Sequence, residues 1–256
     1  MPEPVFIISL TPLNGPVMRL LKISALLLLL VSEASAKDTV LVNKKIAVGI
    51  SLAPECSFRR IEMVYQTIYT LSDYEYRIRS EVPSFSYTAG ASLTYFIKKH
   101  LSVSMGVNFS QKGFSTERIE VITVDYPEGG LGKVKIRYNY NYIEIPVKAQ
   151  YLVGKKKARL VMECGLSPAF LLYKQAIKRY EYYNGEKRRE KDKPNYINNT
   201  FNLFLNIGAG ADIVLRENLS LRILPSFNYG LMRTGTVRIT EHLWNSGLTV
   251  SGFLRL

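Results

Sequence analysis

From Ser84 to Ile97 the chain reads Ser-Phe-Ser-Tyr-Thr-Ala-Gly-Ala-Ser-Leu-Thr-Tyr-Phe-Ile. Phe85, Tyr87, Ala89, Ala91, Leu93, Tyr95 and Ile97 alternate with Ser84, Ser86, Thr88, Gly90, Ser92 and Thr94. Successive side chains of a β-strand point to opposite faces, so this period of two predicts a long strand with one apolar face and one face of small polar residues. After Lys98-Lys-His100 the pattern resumes, with Leu101, Val103, Met105, Val107 and Phe109 set against Ser102, Ser104, Gly106, Asn108 and Ser110. Two such strands joined by three residues make a hairpin.

The same alternation recurs at Lys45 to Ala53, Tyr138 to Leu152, Ala158 to Tyr173, Thr200 to Leu215, Leu219 to Leu231 and Asn245 to Leu256. In Tyr138 to Leu152 its phase reverses between Tyr142 and Ile143, which predicts a bulge there. Eight strands result, and the connections between them alternate in length. Lys98 to His100, Val153 to Lys157 and Arg216 to Asn218 are short; Phe58 to Pro83, Lys112 to Lys135, Lys174 to Asn199 and Met232 to Trp244 are long. An even number of long strands with short turns at one end and long loops at the other predicts an all-β fold. Its form is an eight-stranded antiparallel up-and-down transmembrane β-barrel with periplasmic turns and extracellular loops.

Alternation alone does not say which face points outward, since a soluble lipocalin-like periplasmic barrel binding an apolar ligand would turn its apolar face inward. The small polar residues fit the narrow lumen of an eight-stranded barrel. Aromatic residues of the apolar phase also gather near the strand ends. Phe85, Tyr87, Phe170, Phe201, Phe227 and Tyr229 lie toward the long loops, and Tyr95 and Tyr151 toward the short turns. That is the distribution of two interfacial girdles, so the apolar face is expected to meet lipid.

Composition narrows the function classes. The 256 residues include two Cys and two His, too few for a disulfide framework or a His-rich metal centre. Gly129-Gly-Leu-Gly132 follows no strand-to-helix phosphate-binding pattern, and no cofactor is expected. Near the N-terminus, Met18-Arg-Leu-Leu-Lys22, a leucine-rich run from Ile23 to Val31 and Ala34-Ser-Ala36 have the layout of a secretory signal peptide. The expected organisation is a signal peptide over residues 1–36, with Met18 as the expected true start, and an exported barrel domain over residues 37–256.

Charged residues in the lumen phase are expected to pair. A hairpin centred on Glu217 sets Asp212 opposite Arg222; one centred between Lys155 and Lys156 sets Lys148 opposite Glu163, with Glu144 further along, opposite Ser167. These five are read as a structural charge network that fills the lumen. The net charge of +13 is uneven. Lys174, Lys178, Arg179, Lys187, Arg188, Arg189, Lys191 and Lys193 crowd the third long loop, between interleaved tyrosines. In an exported protein such a loop suits lipopolysaccharide phosphates or a protein partner, and nucleic acid is not expected. His242, beside Glu241 with Ser246 four residues on, is the one candidate for a rim hydrolase, although a single His in a polar loop is ordinarily just solvated. No enzyme is expected. Cys56 and Cys164 lie on opposite sides of the barrel and read as inert thiols.

The segment Tyr140-Asn-Tyr-Ile-Glu-Ile-Pro-Val-Lys148, with Gly165-Leu-Ser-Pro168 and Gly208-Ala-Gly-Ala-Asp212, resembles the PorT-like outer-membrane β-barrel family of Bacteroidota-type bacteria. The resemblance spans about Lys44 to Leu256. It implies an eight-stranded barrel in the cell outer membrane, assembled by the barrel-assembly machinery and surrounded by outer-membrane lipid and lipopolysaccharide. A role as a protein-secretion accessory, with a secretion-system or surface-protein partner, belongs to the name-giving branch of that family. The wider expectation is a structural or binding protein acting through its extracellular loops.

Overall fold

The computed structural model describes residues 45–63, 68–120, 131–154, 157–194, 199–235 and 239–256. The signal-peptide segment, Gly129-Gly130 and Lys155-Lys156 lie outside them. The chain forms β1 (Ile46–Met63), α1 (Ile68–Ser80), β2 (Glu81–Lys98), β3 (Leu101–Thr116), β4 (Ile119–Glu120), β5 (Leu131–Glu144), β6 (Val147–Val153), β7 (Ala158–Tyr182), β8 (Lys187–Asp192), β9 (Phe201–Arg216), β10 (Leu219–Gly230), β11 (Thr234–Gly235) and β12 (Ile239–Arg255).

β5 and β6 are two halves of one barrel strand. Both pair with β3 in a single unbroken register, from Ser115 opposite Arg137 through Asn108 opposite Glu144 to Leu101 opposite Tyr151. With these halves taken together, eight antiparallel strands hydrogen-bond in a closed ring: β1, β2, β3, β5 with β6, β7, β9, β10, β12 and back to β1. Each neighbour in the ring is the next barrel strand in sequence, as an up-and-down barrel requires, and closure removes the unpaired edges that an open sheet would carry. At Ile145-Pro146, where Pro has no N–H to give, the wall stays tied: Ile145 N–H donates to the Pro168 carbonyl at 2.9 Å and Gly106 N–H to the Pro146 carbonyl at 3.1 Å.

The expected reversal at Tyr142 does not occur. Tyr140, Tyr142 and Glu144 are all buried on the lumen side of the same strand. The irregularity lies in the facing strand instead, where pairing slips between Asn141–Tyr173 and Tyr142–Leu171 and leaves Leu172 of β7 extra. Hydropathy reverses because the inward positions themselves become aromatic toward the extracellular end.

That end of the lumen is packed by Phe114, Tyr140, Tyr142, Phe204 and Leu243. Leu152, Val161 and Leu224 fill the periplasmic end, with Phe96 against them. Each such side chain contributes roughly 1.5–3 kcal/mol by leaving water. The expectation of an interior of mainly small polar residues with paired charges therefore holds for the middle layer, while the two ends are apolar. Close approach of the strands depends on glycine: a Cβ on Gly210 would stand 2.1 Å from the Ile223 carbonyl oxygen, and one on Gly165 would stand 2.2 Å from that of Val147.

The outer face is apolar. Ile50 is 71% exposed, and Leu52, Leu93, Met105, Val107 and Ile207 lie open in the same phase. Phe85, Phe170 and Phe227 stand exposed toward one end, and Tyr95 and Tyr151 toward the other. A lipocalin-like arrangement would turn these residues inward, so the alternation excludes it.

The long connections are less loop-like than their polarity predicts. β1 has 18 residues and β7 has 25, against about 9–11 needed to cross a bilayer at a tilt. The surplus rises beyond the outer girdle as sheet. The apolar alternation fades there because both faces meet water, but backbone pairing continues without it.

Candidate functional site

Asp212 lies directly opposite Arg222 of β10 and directly opposite Arg159 of β7. Arg222 Nε donates to Asp212 Oδ1 at 3.4 Å and Arg159 donates to Oδ2, so one fully buried carboxylate holds two guanidinium groups. The Lys148 register differs from expectation by one pair of residues: Lys148 faces Gly165, and Glu163 faces Gln150. The long lysine side chain spans the diagonal, and Lys148 Nζ still reaches Glu163 Oε1 at 2.7 Å. Glu144 lies opposite Ala169 rather than Ser167, and its partner is Lys112 at 3.1 Å.

Lys112 also donates to Asn245 at 2.8 Å and sits 4.5 Å above the Phe204 ring. Glu55 accepts from Thr88 at 2.9 Å and from Asn228 at 3.4 Å. At the extracellular mouth Arg59 bridges Glu81 and Glu241, and Arg77 of α1 adds a contact to Glu241 at 3.2 Å. The network thus runs the length of the lumen. Glu55 and Arg159 escaped the reading although both stand in the polar phase of a strand, and that phase was the signal available. Arg59 and Lys112 fell in segments read as loops. Between the two apolar layers, two pockets of about 40 Å³ each lie among the described residues.

The eight cations of the supposed third loop stand mainly on a hairpin. β7 continues past the bulge, pairs with β5 on one side and with β8 on the other, and β4 covers the far side of β5. Alternation divides the cations between two faces. Lys174, Lys178 and Arg188 share the lumen-side phase, where Lys178 bonds Asp192 at 2.6 Å and Arg188 meets Glu190 at 2.9 Å. Its hydrogen bond to Asp192 raises Lys178 above the ordinary lysine value.

Arg179, Lys187, Arg189 and Lys191 lie in the outward phase, joined by Lys133, Lys135 and Arg137 of β5. Lys193 follows β8, outside either face. On the outward side Lys135, Arg179 and Arg189 lie directly opposite one another across three strands, and among the described residues none of the three has an acidic partner. A cleft of about 410 Å³ opens over this row, with Arg118, Lys133 and Lys187 along its rim.

The rim-hydrolase geometry is not present. His242 is in β12, not in a loop; its Nδ1 lies 2.9 Å from the Gly230 carbonyl and its ring stacks on Tyr229. Glu241 points to the lumen and His242 to the outside, while Ser246 lies four residues along the strand, roughly 13 Å away. Cys56 and Cys164 are both free thiols. Among the described residues no group of three His, Cys, Asp or Glu is placed to hold a metal ion.

A closed ring of eight strands, apolar outside between aromatic bands and sealed by charge pairs and rings inside, defines a β-barrel of the bacterial outer membrane. Residues 44–234 match the family described as outer membrane protein beta-barrel domain, and the chain belongs to that family. Among solved structures it is similar to neisserial surface protein A, at 11% identity over 82% of this chain and 97% of the other, with a TM-score of 0.44. It is also similar to the attachment invasion locus protein Ail of Yersinia pestis, at 12% identity over 81% and 99%, TM-score 0.34. A third is OprG from Pseudomonas aeruginosa, at 9% over 83% and 97%, TM-score 0.39. No curated protein sequence matches the chain.

Proposed function

We propose that the barrel is a closed anchor that holds a rigid, basic β-sheet at the cell surface, and that the protein acts by binding through that sheet in support of the envelope or of surface contact. The observation that carries this reading is the division of labour along the strands. The membrane part has its lumen filled by paired charges and aromatic layers, which leaves no open path for solutes, whereas β5, β7 and β8 continue outward as an ordered platform. An eight-stranded barrel has room for side chains and little else. A protein built only to span the membrane would not need its longest strand to run 25 residues.

Two measurements test the reading together. In planar bilayers the purified protein is expected to give no steady channel current; a stable open conductance would contradict the closed lumen. Replacing residues 177–192 by a short turn is expected to leave heat-modifiable gel migration intact while abolishing surface binding in whole-cell assays. Unchanged binding would remove the platform from the account. A secretion accessory in the manner of the PorT-like branch is a narrower version of the same reading, and capture of a translocated protein through the same truncated segment would favour it.

A further inference from the structure

We infer that the outward face of the extracellular sheet is a docking surface for the phosphate groups of an outer-leaflet phosphoglycolipid such as lipopolysaccharide, with Lys135, Arg179 and Arg189 as its centre. This rests on the platform reading and adds the ligand and the face. Strand register supplies the first argument. Arg179 stands directly opposite Lys135 on one side and Arg189 on the other, a cross-strand row of like charges. Such pairs destabilise a sheet unless a counter-charge joins them. The lumen-side cations of the same strands have theirs in Asp192 and Glu190, and the outward row has none among the described residues.

The second argument is position. The cations share their phase with Tyr173, which is 53% exposed and follows Phe170 of the outer aromatic girdle. Arg179 stands six residues further along, roughly 20 Å of strand and less in height because barrel strands tilt. The face therefore rises from the lipid-facing wall just above the level of the rings, where head groups lie. A ligand dissolved in the medium would be met as well by the lumen-side face, whereas a lipid of the outer leaflet meets only this one. The third argument is shape. The cleft of about 410 Å³ is open and wide enough for a phosphate with part of its sugar. At its rim Arg118 and Lys187 already share Glu181 and Lys133 meets Glu120, so among the described residues the free positive charge that faces it is the central row of Lys135, Arg179 and Arg189. Arginine's planar fork suits phosphate oxygens in pairs.

The test uses the folded full-length barrel in nanodiscs that carry intact lipopolysaccharide, enzymatically dephosphorylated lipopolysaccharide, or phosphatidylcholine alone. Lipid retained per barrel is measured by mass spectrometry after washing. Intact lipopolysaccharide is expected to be retained at least tenfold better than the dephosphorylated form. The triple variant Lys135→Gln, Arg179→Gln, Arg189→Gln is expected to lose about a hundredfold in affinity, at about fivefold for each cation near the surface. Relief of cross-strand repulsion should leave its thermal midpoint equal or higher, which separates loss of a ligand from loss of fold. Arg179→Gln alone, expected to lose about fivefold, serves if the triple variant folds poorly. Equal retention of phosphorylated and dephosphorylated lipid, or an unaffected variant, would each overturn the inference. Because the platform truncation is scored on whole-cell surface binding, that reading can stand when this one fails.

Discussion

Asp212→Ala is expected to cost about 3–5 kcal/mol and to be the most damaging single change in the lumen. The carboxylate is fully buried and is shared by Arg159 and Arg222, so its removal takes the ion pair from both guanidinium groups, and the next acid near Arg222, Glu163, is already bonded to Lys148. Arg159 Nε and Arg222 Nη1 already lack partners, so neither group has a second set of acceptors to fall back on. Urea titration of the folded barrel, followed by the loss of its fast-migrating gel form, measures the effect. A second arm separates charge from volume: adding Arg159→Met and Arg222→Met to Asp212→Ala is expected to recover most of the loss, because the two guanidinium groups that Asp212 held are then gone. A single variant as stable as wild type would show that water reaches this layer and that the pairing is ornamental.

Ile50→Arg is the second large effect, and here the sign itself discriminates. Ile50 is the most open apolar side chain of the barrel wall and lies opposite Ala91 in the outward phase. On a water-facing surface this change would be near neutral. At the level of the acyl chains it is expected to cost about 2–4 kcal/mol and to lower the yield of folded protein in vesicles. Arginine at Tyr95, close to the periplasmic turns, should cost about 1 kcal/mol or less, since its head can reach the interface. Folding yields in vesicles of one lipid composition give both values, and equal yields for the two variants would speak against a bilayer around Ile50.

The parts of this molecule that were legible in the sequence are those where a bilayer enforces alternation. Leu93 and Met105 must face lipid while Ser92 and Ser104 cannot, so strand number and the short turns followed directly from period two. Where water bathes both faces, as around Lys135 and Arg179, no such force acts on the side chains, and strands held by backbone bonds looked like loop. The reversal near Tyr142 misled for a related reason: an aromatic layer inside a narrow barrel imitates a change of face. Asp212 and Arg222 could be paired by counting from Glu217, and that count survives because a bulge at Leu215 offsets the two-residue turn Glu217-Asn218. The register of β6 on β7 sets Val153 opposite Leu160, two residues beyond the symmetric hairpin expected, so Lys148 was set against the wrong neighbour, and only its length kept the ion pair. Lys112 and Arg59 stayed hidden because a buried cation in a sealed lumen has the same local sequence as a solvated one. The two faces of the basic hairpin emerged only once the loop had become a strand.

The central claim is that the outward phase of these strands lies in acyl chains, and Cys164 offers a native reporter of it. It stands exposed between Met162 and Leu166 in that phase, opposite Ile207. With Cys56 replaced by Ser and a nitroxide on Cys164, relaxation by molecular oxygen and by a polar nickel chelate can be compared for the barrel in lipid vesicles. Dominant relaxation by oxygen, with the chelate nearly silent, is the expected result. Relaxation mainly by the chelate, or protection from both, would mean that Cys164 meets water or a protein interior and would contradict the account.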